Sequence, residues 1–280
     1  MIAFRSDRLA TLYLFHPLQK LPRRGPAAKK IPILMYHGIR DGESQARHPY
    51  FRTTTTPAVF AWQIGYLARS GYQSVRPDEA AALLLRPERG PAKPVVITFD
   101  DGLQDFYTAA LPVLRKYGMS ATVYLPTACI GQTARKFHGR DCMTWAQVRD
   151  SHREGIAFGS HTVTHPQLKA LADGAIRREL EDSKKTLEDE LGAPVSSFSY
   201  PYAFPETDIP FRSRLRAMLE ETGYRDGVST IIGTAGRRND PYFLRRIPVN
   251  AWDDIRLFQA KLEGGYDWLR SLQYLSKLVS

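Results

Sequence analysis

The sequence predicts a single-domain α/β protein built as a distorted (β/α)7-8 barrel. Short apolar runs alternate with segments of helical periodicity along most of the chain, and this alternation is typical of parallel strands joined by helices. Eight strand candidates are enough to close a barrel, and barrels of about 250 residues commonly form one domain. A chain of 280 residues can therefore bury one large core without a second domain.

The strand candidates are short runs of four or five residues dominated by apolar side chains. The run at 95–99, Val-Val-Ile-Thr-Phe, is almost wholly apolar, as expected of a barrel strand that is covered on both sides. In chain order the eight candidates are residues 31–35, 72–75, 95–99, 121–125, 156–160, 196–200, 227–230 and 246–249.

Helices are predicted between these strands, where apolar residues recur three and four positions apart. Residues 57–70 and 170–191 each carry one apolar face. Each is followed by a glycine, Gly71 or Gly192, of the kind that ends a helix in the left-handed conformation. Pro112 must start or kink the helix that contains it. The further helices are predicted at residues 78–85, 106–117, 144–153, 211–222 and 252–263.

The composition is that of a soluble globular protein, with 43% hydrophobic and 24% charged residues. No stretch approaches the roughly 20 apolar residues that a membrane-spanning helix needs, so the chain is not expected to cross a bilayer. The only two cysteines, Cys129 and Cys142, are too few for a disulfide framework and are expected to be buried free thiols.

The positive charge is concentrated at the N-terminus. Residues 1–30 hold seven basic residues and one acidic residue, a net charge of +6 out of +10 for the whole chain. The apolar stretch at 9–15 is short for an export signal and is followed by His16 and Pro17 without a small-residue cleavage site, so we expect a cytoplasmic protein. The expected organisation is a basic segment at 1–30, a barrel domain at 31–265 and a C-terminal helical tail at 266–280.

Two interpretations of the basic segment stay open. Leu9, Leu12, Tyr13 and the more distant Phe4 form an apolar stripe beside arginines, a pattern that can rest on an anionic membrane surface. That contact would place the protein peripherally at the inner surface of the membrane. The alternative is a helix that packs on the domain and is followed by a basic linker.

Two carboxylates stand at the end of one strand candidate. Asp100 and Asp101 follow the run at 95–99 and precede Gly102. The C-terminal ends of the strands are the edge where α/β barrels carry their active sites. Because successive strand residues point to opposite faces, the backbone must leave the strand here for both carboxylates to reach one site, and a glycine makes that turn easy.

Two imidazoles stand at the end of another strand candidate, in the string Ser-His-Thr-Val-Thr-His at 160–165. His161 and His165 are four residues apart, a spacing that brings them together on one turn. Pro166 disfavours a helical conformation at His165, so a tight loop at the barrel rim is expected. Two imidazoles and a carboxylate converging from different strand ends would supply the ligands of a hydrolytic metal site.

These strings resemble the first two motifs of polysaccharide deacetylases with the NodB homology domain, carbohydrate esterase family 4. The resemblance covers about residues 31–250 and implies a hydrolase acting on carbon–nitrogen bonds other than peptide bonds. It implies that Asp100 is the general base. The residues that it assigns as ligands of Zn²⁺, or of another divalent transition metal, are Asp101, His161 and His165.

The chemistry of such a site suits hydrolysis of an acetamide. Three protein ligands leave coordination positions open, where a metal lowers the pKa of water toward about 7 and polarises the acetyl carbonyl. The resemblance implies that the oxyanion is also held by a backbone N–H of a tyrosine in a third motif. That motif looks like Tyr-Pro-Tyr here, which makes Pro201 and Tyr202 the expected oxyanion and substrate residues.

The third motif departs from the family's usual pattern. It usually begins with an arginine that orients the aspartate base, whereas Ser199 occupies that place, as in a subgroup with a Tyr-Pro-Tyr motif. Arg246, at the start of the last strand candidate, is the expected replacement. The neighbouring Arg245 is the alternative, and an arginine at a strand end is also often a surface or salt-bridge residue.

The general acid departs from the family as well. The family takes it from a histidine near the end of the domain, but no histidine follows His165, so the leaving amine needs another proton donor. His37 is the candidate, in a Met-Tyr-His-Gly string that resembles the intracellular and exopolysaccharide-linked branch of the family. The alternative is a histidine held in the barrel mouth for structural reasons.

The expected function is removal of an N-acetyl group from an amino sugar, of the N-acetylglucosamine type, within a saccharide or glycan precursor. Tyr50, Phe51 and Arg52 are candidates for lining the sugar site. An amidase acting on a small non-carbohydrate amide is the alternative among enzymes. A basic binding protein with a vestigial metal site is the alternative of another class, although no recognisable nucleic-acid-binding motif occurs and no nucleic-acid partner is expected.

Overall fold

The computed structural model of the protein describes residues 5–20, 29–42 and 53–279. Its strands, in chain order, are β1 (Lys30–Ile31), β2 (Ile33–Tyr36), β3 (Gly38–Ile39), β4 (Thr54–Thr55), β5 (Gln73–Ser74), β6 (Pro94–Phe99), β7 (Thr122–Leu125), β8 (Lys136–Phe137), β9 (Arg140–Asp141), β10 (Ala157–Ser160), β11 (Ser197–Ser199), β12 (Asp226–Ile232), β13 (Ala235–Gly236) and β14 (Leu244–Pro248). Seven of them form a closed parallel barrel in the order β2-β14-β12-β11-β10-β7-β6, with β6 pairing back to β2. The predicted single-domain barrel is confirmed.

One of the eight strand candidates, residues 72–75, lies outside the closed ring as β5. The first two residues of β6, Pro94 and Val95, pair with β5, whereas its last four pair with β2. The barrel closes through the β2–β6 pairing, so β5 flanks the ring instead of completing it. All six residues of β6 are buried, which agrees with their almost wholly apolar composition.

The predicted helices are present, with ends that shift by up to three residues. The helices are α1 (Ser6–Ala10), α2 (His16–Gln19), α3 (Pro57–Arg69), α4 (Pro77–Leu85), α5 (Leu111–Tyr117), α6 (Trp145–Arg153), α7 (Asp173–Leu191), α8 (Ile209–Glu221), α9 (Ile255–Leu262) and α10 (Leu269–Val279). Two π-helical stretches, Thr11–Phe15 and Phe106–Ala110, extend the neighbouring helices. Pro112 lies directly after the π-helical stretch Phe106–Ala110, inside the continuous helix that this stretch forms with α5, so the irregular hydrogen bonding of the helix coincides with the residue that has no N–H to donate.

Local sequence signals account for several helix ends. Gly71 and Gly192 follow α3 and α7 with φ of +75° and +64°, the left-handed conformation that glycine adopts without a Cβ clash. Thr144 caps α6 through a reciprocal pair of hydrogen bonds with Gln147. These caps fix where each connection leaves its helix and turns back to the barrel.

The N-terminal helical stretch, residues 6–19, packs on the C-terminal part of the chain. Arg5 pairs with Asp253, and the ring of Phe15 stacks on Trp268 with centroids 4.4 Å apart. This observation favours a helix packed on the domain. Phe4 lies outside the described residues, and contact with a membrane and a cytoplasmic location stay predictions. Within the described ranges, every helix is too short or too polar to span a bilayer.

The two cysteines are free thiols, as predicted. Cys142 is fully buried, as predicted, whereas Cys129 is partly exposed, so the prediction of burial was wrong for Cys129. Burial raises the pKa of the Cys142 thiol to about 12, so this sulfur is not a thiolate at neutral pH.

A buried acid lies at the first residue of β12, at the end of the barrel opposite the rim that carries Asp100 and Asp101. Asp226 is fully buried, and its Oδ1 accepts a hydrogen bond of 2.5 Å from Ser197, whose hydroxyl also bonds Tyr124 at 2.8 Å. The other oxygen, Oδ2, has no hydrogen-bond partner in the described part of the chain. Burial raises the pKa of Asp226 from 3.8 to about 7.

The replacement Asp226→Asn is expected to flatten the pH dependence of stability. Because the folded pKa lies above the unfolded value, the contribution of this acid to stability is fully present below about pH 4 and is lost as the pH rises through 7. Relative to wild type, the variant should gain about 3 kcal/mol in free energy of unfolding between pH 5 and pH 8. Urea unfolding at the two pH values measures this gain.

Asp182→Asn, on the exposed face of α7, is the matched control and should leave the pH profile unchanged. Parallel pH profiles for wild type and Asp226→Asn would show that Asp226 is already ionised in the folded protein.

Candidate active site

The two adjacent aspartates reach one site because the chain turns sharply after β6. Asp101 and Gly102 have φ of +72° and +59°, so the backbone leaves the strand directly after Asp100. A Cβ at Gly102 would lie 2.6 Å from a methyl carbon of Leu125, so both space and backbone conformation require glycine here. Asp100 and Asp101 therefore both line the mouth of the barrel.

The two histidines lie on the loop after β10, which is not helical, as Pro166 predicts. Thr162 and His165 have φ of +69° and +57°. Glu179 of α7 holds this loop, since its carboxylate accepts hydrogen bonds from the backbone N–H groups of residues 163 and 164 at 2.7 and 2.9 Å. The loop conformation is thus fixed from outside by a helix.

Asp101, His161 and His165 converge to a spacing suited to one metal ion. Nε2 of each histidine lies 3.7 Å from Oδ1 of Asp101. One ligand atom from each of the three residues lies within 4.8 Å of the others, and this is the one such group of three in the described ranges. A carboxylate oxygen and two imidazole nitrogens are ligands typical of zinc and similar divalent ions.

The protonation of the two imidazoles also fits metal binding. Burial lowers the pKa of His161, and the Nδ1–H group donates to the carbonyl oxygen of Ser199 at 2.8 Å, which leaves the Nε2 lone pair toward Asp101. Burial, and then the neighbouring His161, lower the pKa of His165 to about 3. Nδ1 of His165 is buried with no hydrogen-bond partner among the described residues. Both rings are neutral at pH 7, the state that a metal ligand requires.

Asp100 is paired with a buried arginine. Its two oxygens each accept a hydrogen bond of 2.7 Å from the guanidinium of Arg246, and both side chains are almost completely buried. Ser199 donates to the same carboxylate at 3.2 Å and accepts from Arg246 at 3.1 Å. Burial alone would raise the pKa of Asp100, but the charge of Arg246 and its hydrogen bonds to the carboxylate outweigh burial and hold this pKa well below its usual value.

Arg246, not Arg245, is the arginine that the structure joins to Asp100. Strand alternation sends the two side chains to opposite faces of β14. Arg245 is half-buried and lines a separate cavity with other cations, among them Lys30 and Arg238.

His37 and Tyr202 complete the mouth of the barrel. Nε2 of His37 lies 3.9 Å from Oδ2 of Asp100. Tyr202 has a φ of +57°, and its half-exposed ring lies 4.5 Å from the ring of His165. Pro201 is buried directly before it and does not line the cavity, so of the expected Pro-Tyr pair only the tyrosine faces the site.

These side chains surround an open cavity of about 450 Å³. Its walls include Phe137 and the exposed His138 from the β8–β9 hairpin, and Gln273 from α10. Tyr50, Phe51 and Arg52, the sequence candidates for the sugar site, lie outside the described residues.

Sequence reasoning missed the partners that hold the site together. It noted Ser199 only because this residue stands where the family usually has an arginine. In the structure, the hydroxyl of Ser199 bridges Asp100 and Arg246. Glu179 lies on α7, 15 residues after Thr164, and Gln273 lies on α10, 41 residues after Ile232 of β12; no local pattern marks either of them.

Backbone strain is concentrated at this site. The non-glycine residues with positive φ in the described ranges all lie at the cavity or in the histidine loop: Asp101, His138, Thr162, His165 and Tyr202. Each such conformation costs on the order of 1 kcal/mol or more and persists only where the surroundings impose it. The geometry of the site is therefore enforced by the rest of the fold.

Comparisons with known proteins agree with this arrangement. A family model described as polysaccharide deacetylase matches residues 88–226. A putative polysaccharide deacetylase of Bacillus subtilis, YxkH, is 34% identical over 234 residues, covering 84% of this chain and 76% of that protein. The poly-beta-1,6-N-acetyl-D-glucosamine N-deacetylase of Escherichia coli K12 is 32% identical over 159 residues, 51% of this chain but 22% of that protein.

Among solved structures, the Streptococcus pyogenes deacetylase PplD, in complex with acetate, superposes with a TM-score of 0.72. It is 27% identical, and the match covers 84% of this chain and 99% of that chain.

Proposed function

This chain belongs to the polysaccharide deacetylase family, and on that premise we propose that it removes N-acetyl groups from a polysaccharide containing N-acetylglucosamine, with the help of a divalent metal ion. Members of this family are hydrolases of carbon–nitrogen bonds other than peptide bonds. One observation carries the proposal: Asp101, His161 and His165 meet at one point, beside an ionised Asp100, in an open cavity.

The three residues Asp101, His161 and His165 would hold the metal, and zinc is the ion that this ligand set favours. When bound, the cation polarises the acetyl carbonyl and acidifies water enough for a weak carboxylate base to take its proton. Asp100 suits that base, because Arg246 keeps it ionised and fixes both of its oxygens. These two hydrogen bonds are the physical basis for the orienting role that the sequence analysis expects of Arg246.

The remaining groups account for the rest of the reaction. As water attacks, a carbon–oxygen bond forms and the proton of the water passes to Asp100. The backbone N–H of Tyr202 has no acceptor among the described residues and is available to the developing oxyanion. His37 lines the same cavity and is placed to protonate the leaving nitrogen as the carbon–nitrogen bond breaks, giving acetate and a free amine.

The substrate class rests on the cavity and on the relatives. A cavity of about 450 Å³ that is open to solvent admits a sugar residue within a longer chain. The Escherichia coli relative is a deacetylase of poly-beta-1,6-N-acetyl-D-glucosamine, and acetate, bound in the Streptococcus pyogenes structure, is the product of N-acetyl hydrolysis. These likenesses favour an N-acetylated polysaccharide over a small amide.

The test is acetate release from three substrates: β-1,6-linked N-acetylglucosamine oligomers, acetylated chito-oligosaccharides and a small cyclic amide. The protein is assayed as purified, after chelation, and after Zn²⁺ is restored. We expect acetate from at least one saccharide, loss of turnover after chelation and recovery with Zn²⁺. Turnover of the amide alone would favour the amidase, and saccharide turnover that survives verified metal removal would overturn the metal requirement.

A further inference from the structure

One face of the C-terminal helix α10 is bonded to the loop that carries Tyr202. Arg270, Gln273 and Lys277 are spaced three and four residues apart and so share this face. Arg270 pairs with the almost fully buried Glu206 at 2.8 Å, and the ammonium group of Lys277 donates to the carbonyl oxygen of Phe204 at 2.7 Å. The helix therefore holds the segment at 204–206 at two points.

Gln273, between these two points, bonds to the end of β12, where no neighbouring strand pairs with that edge. The pairing of β11 with β12 ends at Ser199 and Val228, while β12 continues to Ile232. Beyond that end, the amide oxygen of Gln273 accepts from the backbone N–H of Ile232 at 3.0 Å, and its NH₂ group donates to the carbonyl oxygen of Thr230 at 2.8 Å. Gln273 thus supplies both hydrogen bonds that a neighbouring strand would make.

The strand end that Gln273 fixes is bonded directly to Tyr202. The hydroxyl of Thr230 donates to the carbonyl oxygen of Tyr202 at 3.1 Å and accepts from the backbone N–H of Phe204 at 2.8 Å. Tyr202 lies between these bonds and the histidine ring of the site, in a left-handed conformation that a residue with a Cβ adopts only under constraint.

From these contacts we propose that α10 positions the oxyanion-binding backbone of Tyr202, with Gln273 as the central positioning residue. This inference rests on the proposed function, because it assigns the fixed N–H of Tyr202 to the oxyanion. Arg270, Gln273 and Lys277 act together through Glu206, Thr230 and Phe204 and do not touch the reacting atoms. The helix lies outside the part of the chain that matches the family model, so the family motifs alone do not contain it.

The test compares Gln273→Met, which keeps the side-chain length and removes both hydrogen bonds, with wild type. Misplacing an oxyanion donor raises the barrier of the chemical step, and loss of a whole donor costs about 100-fold or more. We expect kcat for acetate release to fall about 10-fold per metal-loaded, folded enzyme while KM stays within about twofold. Hydrogen exchange in the backbone at 200–206 should accelerate, and the metal content should not change.

Two further variants keep the inference falsifiable if Gln273→Met folds poorly. Lys277→Met removes the bond to Phe204 and should lower kcat in the same way. Ser271→Ala, on an exposed part of the same helix, is the control and should match wild type. Unchanged kcat in both folded variants, or a rise in KM in place of a fall in kcat, would overturn the inference. Wild type that releases no acetate from any saccharide would instead refute the proposed function.

Discussion

Replacing Asp100 with asparagine is expected to lower kcat for acetate release by about 1,000-fold, because the amide cannot accept the proton of the attacking water. The carboxylate is held by two bonds from Arg246 and one from Ser199, and an amide of nearly the same shape can keep part of this network. The loss should therefore appear in kcat, with the fold and the metal site preserved. Steady-state kinetics on an N-acetylglucosamine oligomer, with metal analysis of the same preparation, measures both.

The neighbouring variant Asp101→Asn provides the contrast for this prediction. Asp101 belongs to the ligand group, so its amide should weaken metal binding as well as turnover. Asp100→Asn should hold the metal as wild type does. If Asp100→Asn retains more than about one tenth of the wild-type kcat, Asp100 is not the general base.

Replacing Arg246 with methionine is expected to have the largest effect on stability. Arg246 and Asp100 are both almost completely buried, and removing one partner leaves an uncompensated charge in the core of the barrel. Breaking a buried pair in this way typically costs about 3–5 kcal/mol. Urea unfolding at pH 7 should show a loss of this size, and turnover should fall because the base is no longer oriented.

The loss should depend on pH with a definite sign. Arg246 holds the folded pKa of Asp100 below the ordinary value of 3.8, so the contribution of the pair is present above about pH 4 and is lost as the pH falls through the folded pKa. In Arg246→Met, burial dominates and raises the pKa of Asp100, so the acid can be protonated near pH 4. The stability difference between wild type and variant should therefore be smaller at pH 4 than at pH 7.

The double variant Asp100→Asn with Arg246→Met separates the buried charge from packing. Removing both charges should restore part of the stability without restoring turnover, since the base is still absent. Arg245→Met is the matched control, because this neighbouring arginine is only half-buried and pairs with no acid in the described part of the chain. A loss below about 1 kcal/mol in Arg246→Met would contradict the prediction.

The barrel and most of its elements could be predicted because their signals are local. Apolar runs such as 95–99 mark strands, and glycines such as Gly71 mark helix ends, since each depends on a few neighbouring residues. Which strands close the ring could not be predicted in this way. Whether residues 73–74 join the barrel depends on where β6 meets β2, which is a contact between segments distant in sequence.

The candidate site likewise contains residues that local sequence patterns identify and residues that they do not. Asp100, Asp101, His161 and His165 could be found from sequence because each motif lies at the end of an apolar strand, and parallel strands of a barrel end at one rim. Ser199 was noticed only for the arginine that it replaces. Its bonds to Asp100 and Arg246 are between strands that no local pattern connects.

By itself, the sequence determined the barrel, the rim on which its motifs lie and the residue types of the proposed site, because periodicity and strand ends are properties of short segments. Only the tertiary structure decided that Arg246 and not Arg245 meets Asp100, and that Gln273 of the C-terminal helix holds the strand behind Tyr202. These contacts depend on which face of a strand points into the barrel and on which unpaired backbone groups a distant helix can reach.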